Sequence, residues 1–395
     1  MTLDPVELAA ALIKRPSVTP KDEGAIPLLA KTLEGLGFAC DIVEFTEQGT
    51  APILNLYARR GSTAPILNLY ARRGTTGRNF CFAGHTDVVP PGDLKSWSVD
   101  PFGGEVLNGA LYGRGANDMK TAIACFAAAA EQFLAARPDF DGSISFLITG
   151  DEEAAAINGT RKLLEWVAGQ GEKLDACVVG EPTSAKQLGD MVKIGRRGSM
   201  NGFLTVTGIQ GHTANPHLAD NAAHRLLKML SALLAEPIDR GNERFPPTDL
   251  QISTIDIGNP TTNVIPGVAK ATFNIRFNDQ WTSAKLTEWL KQKLDAAGGR
   301  YKLDIQVSGE SFLTPPGEVS TILTRAIGEV TGLTPDLSTT GGTSDARFIC
   351  RYCPVAEFGL VGLTMHKVDE RVTVADITAL TKIYRSVLEH YFAKS

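Results

Sequence analysis

The chain has no apolar run approaching the roughly 20 residues that a bilayer-spanning helix needs, and its basic residues are dispersed rather than gathered into a patch. With a net charge of -5 it offers no evident hold for nucleic acid or an anionic membrane surface. Its six cysteines, Cys40, Cys81, Cys125, Cys177, Cys350 and Cys353, supply one CxxC, at the last two, and no second pair. That spacing argues against a zinc ribbon and lends little to a redox role. Most of these cysteines lie in apolar contexts, where a thiol behaves as a small buried hydrophobe, so reduced thiols in a cytosolic enzyme are expected. The N-terminus lacks the basic flank, long apolar core and small-residue cleavage site of a leader. Asp4 and Pro5 read instead as the cap and first position of an amphipathic helix, and a cytoplasmic location is expected.

What is present is the composition of a soluble globular protein, 43% hydrophobic and 21% charged. At 395 residues it is too long for one ordinary core, and two domains are expected. Periodicity predicts helices over 5–15 and 25–36 and a strand over 39–45. TAPILNLYARRG at 50–61 then recurs at 63–74 with a period of 13 residues. Because that period is odd, one continuous strand would present opposite faces in the two copies. One copy is therefore expected in a sheet, the other as a loop or edge hairpin through Gly61-Ser62-Thr63.

Beyond the repeat, strand 80–84, helix 119–136, strand 143–149, helix 153–168 and strand 175–180 alternate. That alternation predicts an α/β fold, a mostly parallel central sheet flanked by helices, with ligands at the carboxyl ends of its strands. From Gly198 the pattern becomes strand 202–207, helix 217–235, strands 250–257 and 269–277, helix 283–297 and strand 301–307, an α+β sandwich. Helix 318–331, strand 354–358 and helix 374–392 return to the first texture. The expected layout is a discontinuous catalytic domain, 1–197 and 311–395, interrupted by an inserted domain, 198–310.

His85 closes the strand at 80–84, and Asp118 stands between a glycine-rich turn and an alanine-rich helix. Asp151-Glu152-Glu153 and Glu181 follow strands directly, and His366 comes late. Each has an ordinary reading. Asp118 could be a helix N-cap, and the acids at 151–153 could complement the dipole of the helix they open. Glu181 before Pro182 could be a turn residue, and either histidine a satisfied, partly buried side chain. Together they point elsewhere. Two imidazoles with Asp118, Glu153 and Glu181 form a nitrogen and oxygen set without thiolate. It suits two divalent ions bridged by one carboxylate, zinc first, with cobalt or manganese as alternatives. Glu152, beside Glu153, stays free to act as general base. Asp87, on the same side of an extended chain as His85, could hold the imidazole ring.

The segments GHTDVVP (84–90), GRGANDMK (113–120), TGDEE (149–153), GEPTS (180–184), GRRGS (195–199), QGHTANPH (210–217) and GGTSDARF (341–348), with the late His366, carry a resemblance. The chain is similar to the di-zinc metallopeptidase and deacylase family that includes aminoacylase and carboxypeptidase G, over almost its whole length outside the repeat. The resemblance implies that Asp118 bridges two zinc ions, with cobalt an alternative in one site. His85 and Glu181 would complete one site, Glu153 and His366 the other, with Glu152 as base and Asp87 supporting His85. It also implies a homodimer built through the inserted, lid-like domain. Across that dimer His212 would reach the oxyanion, and Asn263 the active site, of the neighbouring subunit.

Within the family, GRRGS, the QGH…PH stretch and GGTSD…RF favour a deacylase acting on a small amide with three carboxylates over an acetylornithine deacetylase or a dipeptidase. Such a substrate calls for cationic forks, with Arg196, Arg197 and Arg276 as candidates. The turn Gly341-Gly342-Thr343-Ser344 resembles an anion nest with two hydroxyls. Asn215 stands where the family usually has tyrosine and Ala346 where it has glycine; neither is a proposed ligand.

Overall fold

The structure, a computed structural model, describes residues 2–50, 52–61, 77–154 and 156–393. The chain forms two compact units. The first comprises Met1–Ile194, Thr314–Ser338 and Ser344–Ser395, the second Gly195–Leu313 and Thr339–Thr343.

Among the described residues of the first unit, eight strands form one sheet in the order β1 (Ala39–Phe45), β2 (Ile53–Gly61), β6 (Ser143–Thr149), β3 (Asn79–His85), β7 (Ala176–Val179), β18 (Val355–Glu357), β8 (Met191–Lys193) and β17 (Asp336–Ser338). Its centre is parallel, β3 pairing with β6 and β7, and β7 with β18. β3, β6 and β7 are buried at every position, as expected of strands covered on both faces. The helices are α1 (Pro5–Ile13), α2 (Ala25–Gly35), α3 (Lys120–Ala136), α4 (Thr160–Gly169), α7 (Glu318–Thr331), α8 (Ala346–Ile349) and α9 (Val374–Tyr391). A small sheet joins β4 (Glu105–Leu107), β5 (Ala110–Tyr112) and β19 (Arg371–Thr373).

Asp4 caps α1, its carboxylate accepting the Val6 and Glu7 N–H groups. α3 is buried throughout its first three turns because its alanines let neighbours close in from every side. Phe126 of α3 stacks on Phe82 with ring centroids 4.5 Å apart and meets Phe146 at 5.1 Å and Tyr384 at 5.6 Å. Those rings tie α3 and α9 to β3 and β6.

Two of these readings change here. The helix predicted from 153 begins at Thr160, because the Asp151 carboxylate turns back to accept the Asn158 N–H at 2.9 Å. The acids at 151–153 therefore do not open a helix. Asp118 is no N-cap either, since α3 starts at Lys120 without a side-chain cap. The first copy of the repeat is β2, antiparallel to both β1 and β6; the second copy, 63–74, lies outside the described residues.

The second unit is a four-stranded antiparallel sheet, β12 (Asp249–Asp256), β14 (Val268–Phe277), β10 (Gly198–Thr207) and β15 (Arg300–Gly309), packed with α5 (Ala222–Leu234) and α6 (Ser283–Ala297). Its core joins Met200, Leu204, Phe273 and Ile275 to Leu226, Leu230, Leu286 and Leu290. Gly202 lies opposite Phe273, whose ring an added Cβ would meet at 2.2 Å, so the glycine is what lets that ring lie across β10. Two-residue ladders pair β11 (Gly211–His212) with β13 (Val264–Ile265) and β9 (Gly195–Arg196) with β16 (Phe312–Leu313). α5 starts at Ala222, where Asn221 caps it, rather than at 217; Pro216–Leu218 is a separate 3-10 turn. The glycine turn is divided, Thr339–Thr343 belonging to the second unit and Ser344 to the first. Among the described residues no helix is long and apolar enough to cross a membrane.

Candidate metal centre

Parallel strands end on one rim, and glycines let the loops beyond them close in. A Cβ on Gly84 or Gly180 would meet Met119 Cε at 2.4 or 2.8 Å. Their absence of side chains admits Met119, and with it Asp118, to the ends of β3 and β7. There His85 Nε2 stands 3.1 Å from Asp118 Oδ1 and 3.8 Å from Glu181 Oε1. The other Asp118 oxygen, Oδ2, faces His366 Nε2 at 3.3 Å, and that nitrogen is 3.0 Å from Glu153 Oε1. One carboxylate thus divides its two oxygens between two imidazoles, each with a further acid beside it. Glu152 is close as well: donor atoms of His85, Glu152 and Glu181 all lie within 4.8 Å of one another.

The electrostatics follow from burial. Burial pushes the carboxyls of Glu152 and Glu181 well above the usual range, reinforced by neighbouring acids, Asp345 and Glu153 for the first and Asp118 and Glu152 for the second. Burial opposes the charge on Asp118, but His366 and His85 outweigh it and hold that carboxyl below its ordinary value. Burial likewise pulls His85 down, and Asp118 and Asp87 overcome it, leaving the ring well above its ordinary value. Asp118 and Glu153 raise His366 to about 10. The polypeptide alone therefore neutralises its acids by holding protons. Glu181 Oε1 is buried without a hydrogen-bond donor. An orphaned carboxylate oxygen beside an imidazole, in a cluster of acids, is what a divalent cation satisfies, and the residues fit such ions.

Asp87 does more than support the ring. Its main-chain oxygen lies 2.9 Å from His85 Nδ1, whereas its carboxylate is 3.6 Å away. That carboxylate instead accepts the N–H groups of Glu152 and Glu153 at 3.1 to 3.2 Å. It holds the backbone that presents both glutamates, while Asp151 anchors the far end of the same loop at Asn158. Asp151 was visible in sequence only as one of three acids, with nothing to separate its role from theirs.

The buried Ser344 Oγ donates to Glu357 Oε1 at 2.6 Å. The packing brings Glu357, at the end of β18, to Ser344, and neither residue's local pattern reveals the pairing. Ala346 is buried at the start of α8.

In the second unit, Arg196 Nη1 reaches the Thr340 carbonyl at 3.5 Å and lies where a Cβ on Gly341 would be 2.6 Å away. Thr343 belongs to that same segment. Arg276 is half-buried, and burial together with the neighbouring Arg197 charge lowers its pKa. The Arg197 Nε is buried without an acceptor. Arg276 Nε donates to Asn274 Oδ1 at 3.1 Å, and Arg197 and Arg276 stand with Arg196 as anion-binding candidates. His212 and Asn263 come together at the β11–β13 ladder, where Thr213 N–H donates to the Asn263 carbonyl at 3.0 Å. His212 Nδ1 accepts the Ala214 N–H at 3.0 Å, which leaves Nε2 of the exposed ring as the donor.

Comparison with known proteins agrees with this architecture. Two relatives named succinyl-diaminopimelate desuccinylase, from Rhodospirillum centenum and Parvibaculum lavamentivorans, are each 55% identical to the chain. They match over 100% and 99% of the chain and 98% and 96% of their own lengths, respectively. The solved structure of an M20 family metallo-carboxypeptidase from Sulfolobus solfataricus shares the fold with a TM-score of 0.76 at 17% identity, covering 99% of this chain and all of that one. The sequence profile of peptidase family M20/M25/M40 matches residues 81–390, from within the strand that delivers His85 to within the last helix. On that match and those relatives, the chain belongs to peptidase family M20/M25/M40.

Proposed function

We propose that the chain is a dimetal amide hydrolase that converts N-succinyl-LL-2,6-diaminoheptanedioate to succinate and LL-2,6-diaminoheptanedioate in lysine and diaminopimelate biosynthesis. The observation that carries the chemistry is Asp118, with one oxygen toward His85 and the other toward His366. The substrate follows from the full-length relatives of that name. His85, Asp118 and Glu181 would hold one ion, and Asp118, Glu153 and His366 the other. Zinc fits the donor set best, and cobalt is an alternative in one site. When bound, two such ions supply Lewis acidity toward the amide carbonyl and lower the pKa of water.

The chain's own residues do the rest. Glu152, whose carboxylate lies within 4.8 Å of donor atoms of His85 and Glu181, takes the proton from the attacking water and returns it to the leaving amine nitrogen. Asp87 fixes the backbone from which Glu152 projects. His212 of the partner subunit donates through Nε2 to the developing oxyanion. Arg197, Arg276 and the 341–343 turn receive substrate carboxylates. A cytoplasmic homodimer is the form this reading requires.

The test is metal analysis of the purified protein with turnover on the succinylated substrate, N-acetylornithine and a dipeptide in parallel. Two ions per chain and preference for the succinylated substrate are expected. Glu152→Ala should keep both ions and lose about 100- to 10,000-fold in kcat. Preference for another substrate would overturn the substrate assignment, and wild-type turnover in Glu152→Ala would overturn the base.

A further inference from the structure

Arg114 and Glu370 lie 256 residues apart in sequence yet form a buried ion pair, with side chains only 3% and 0% exposed. Each also grips the main chain of loops that carry metal-ligand candidates. Glu370 Oε1 accepts the N–H groups of Asn117 at 2.8 Å and Asp118 at 3.1 Å. Arg114 Nη1 donates to the Lys367 carbonyl at 3.3 Å, and Nη2 to the carbonyls of His366 and Pro90, both at 3.4 Å. Its guanidinium lies over the Trp97 ring, 5.4 Å from the centroid. The fork therefore joins the segment after His85 to the turn holding His366, and Glu370 adds the backbone of Asn117 and Asp118.

That turn is strained. His366 and Asp369 have φ of +61° and +56°, left-handed values that are unfavourable for a non-glycine residue and persist only where the surroundings impose them. A buried ion pair adds little stability by itself, because desolvating both ends offsets their attraction. What this pair does supply is direction: the Arg114 Nη atoms and Glu370 Oε1 also bond the backbones of Pro90, Asn117, Asp118, His366 and Lys367.

We propose that the Arg114–Glu370 pair is a positioning element that sets the separation of Asp118 and His366, and so the affinity of the metal position those residues share with Glu153. The proposal rests on the dimetal reading above. Neither side chain touches the reacting atoms; both act through the ligands' main chain. Arg114→Lys keeps the charge but cannot span Glu370 and three carbonyls from one fork. Glu370→Gln keeps an acceptor for the Asn117 and Asp118 N–H groups but removes the charge that orients Arg114.

The experiment is calorimetric titration of metal-free wild type and both variants with Zn²⁺, alongside thermal unfolding of the metal-free proteins. In each variant one ion should bind as in wild type and the other about 10- to 100-fold more weakly. The kcat should fall at limiting Zn²⁺ and recover in excess, with KM unchanged. Wild-type affinity at both positions would overturn the proposal, as would equal weakening of both alongside a lower unfolding temperature. Wild type taking up fewer than two ions would overturn the dimetal reading itself, a result distinct from either. If the variants do not fold, amide exchange on metal-free wild type decides. Protected Asn117 and Asp118 N–H groups support the clamp, and exchange at the free-peptide rate overturns it.

Discussion

At the scale of single residues, the centre is a competition between protons and cations for the same lone pairs. His366 is raised to about 10 by Asp118 and Glu153, so it is protonated at neutral pH when no cation is bound. For the metal-free fold the sign follows directly. This raised pKa contributes stability that is complete below the ring's ordinary 6.5 and is lost as pH rises through about 10. Metal uptake runs the other way, because each ion must displace protons from its ligands. Zinc affinity should therefore increase with pH between about 7 and 10, by up to about tenfold per unit for each proton displaced. Calorimetry at pH 7 in buffers of different ionisation enthalpy should show net proton release. A heat independent of the buffer would refute the assignment of protonated imidazoles.

At the scale of elements, ligands are delivered by strand ends whose neighbours leave no spare room. Gly359 follows β18, and a Cβ there would stand 2.6 Å from the main-chain oxygens of both Gly180 and Glu181. Backbone cannot rotate away as a flexible side chain can, so Gly359→Ala must push the end of β7 aside. Overpacking of this kind costs about 1 to 3 kcal/mol. Gly359→Ala should lower the unfolding temperature of the metal-free protein and weaken the ion held by His85 and Glu181 more than the ion held by His366. Thermal melts with zinc titration read both effects, and an unchanged first site would count against this account. The loop from Asp151 to Gly159 makes a related point. The acidic run at its start resembles a helix entry, but Asp151 uses its carboxylate on the Asn158 N–H and postpones α4 to Thr160.

At the scale of the whole molecule, the second unit carries apolar surface that its own core does not use. Leu227 and Leu234, seven residues apart on α5, are 55% and 54% exposed, and β12 is an edge strand with Ile255 49% exposed. Exposed leucines in helical register, and separately an open strand edge, suit a second copy of the chain. Light scattering should give twice the chain mass of 42.2 kDa for wild type, and one chain mass for the double variant Leu227→Glu, Leu234→Glu. If His212 acts across the interface, activity should fall with the dimer. A fully active wild-type monomer would sink both statements.

Much of this was legible in the residues. Apolar runs bounded by polar junctions mark β3, β6 and β7, and helical periodicity places α6 at 283–297 and α7 at 318–331, as observed. Donor chemistry at those junctions, two imidazoles and several carboxylates, already restricts the ions and the reaction, because ligand type is a property of the side chain. Which atoms meet is a property of the packing. The division of the Asp118 oxygens, the carboxylate of Asp87 turning to the Glu152 backbone and the pairing of Arg114 with Glu370 all join segments far apart in the chain. No local pattern encodes them, since each depends on where the parallel strands end and how closely glycines let the loops approach.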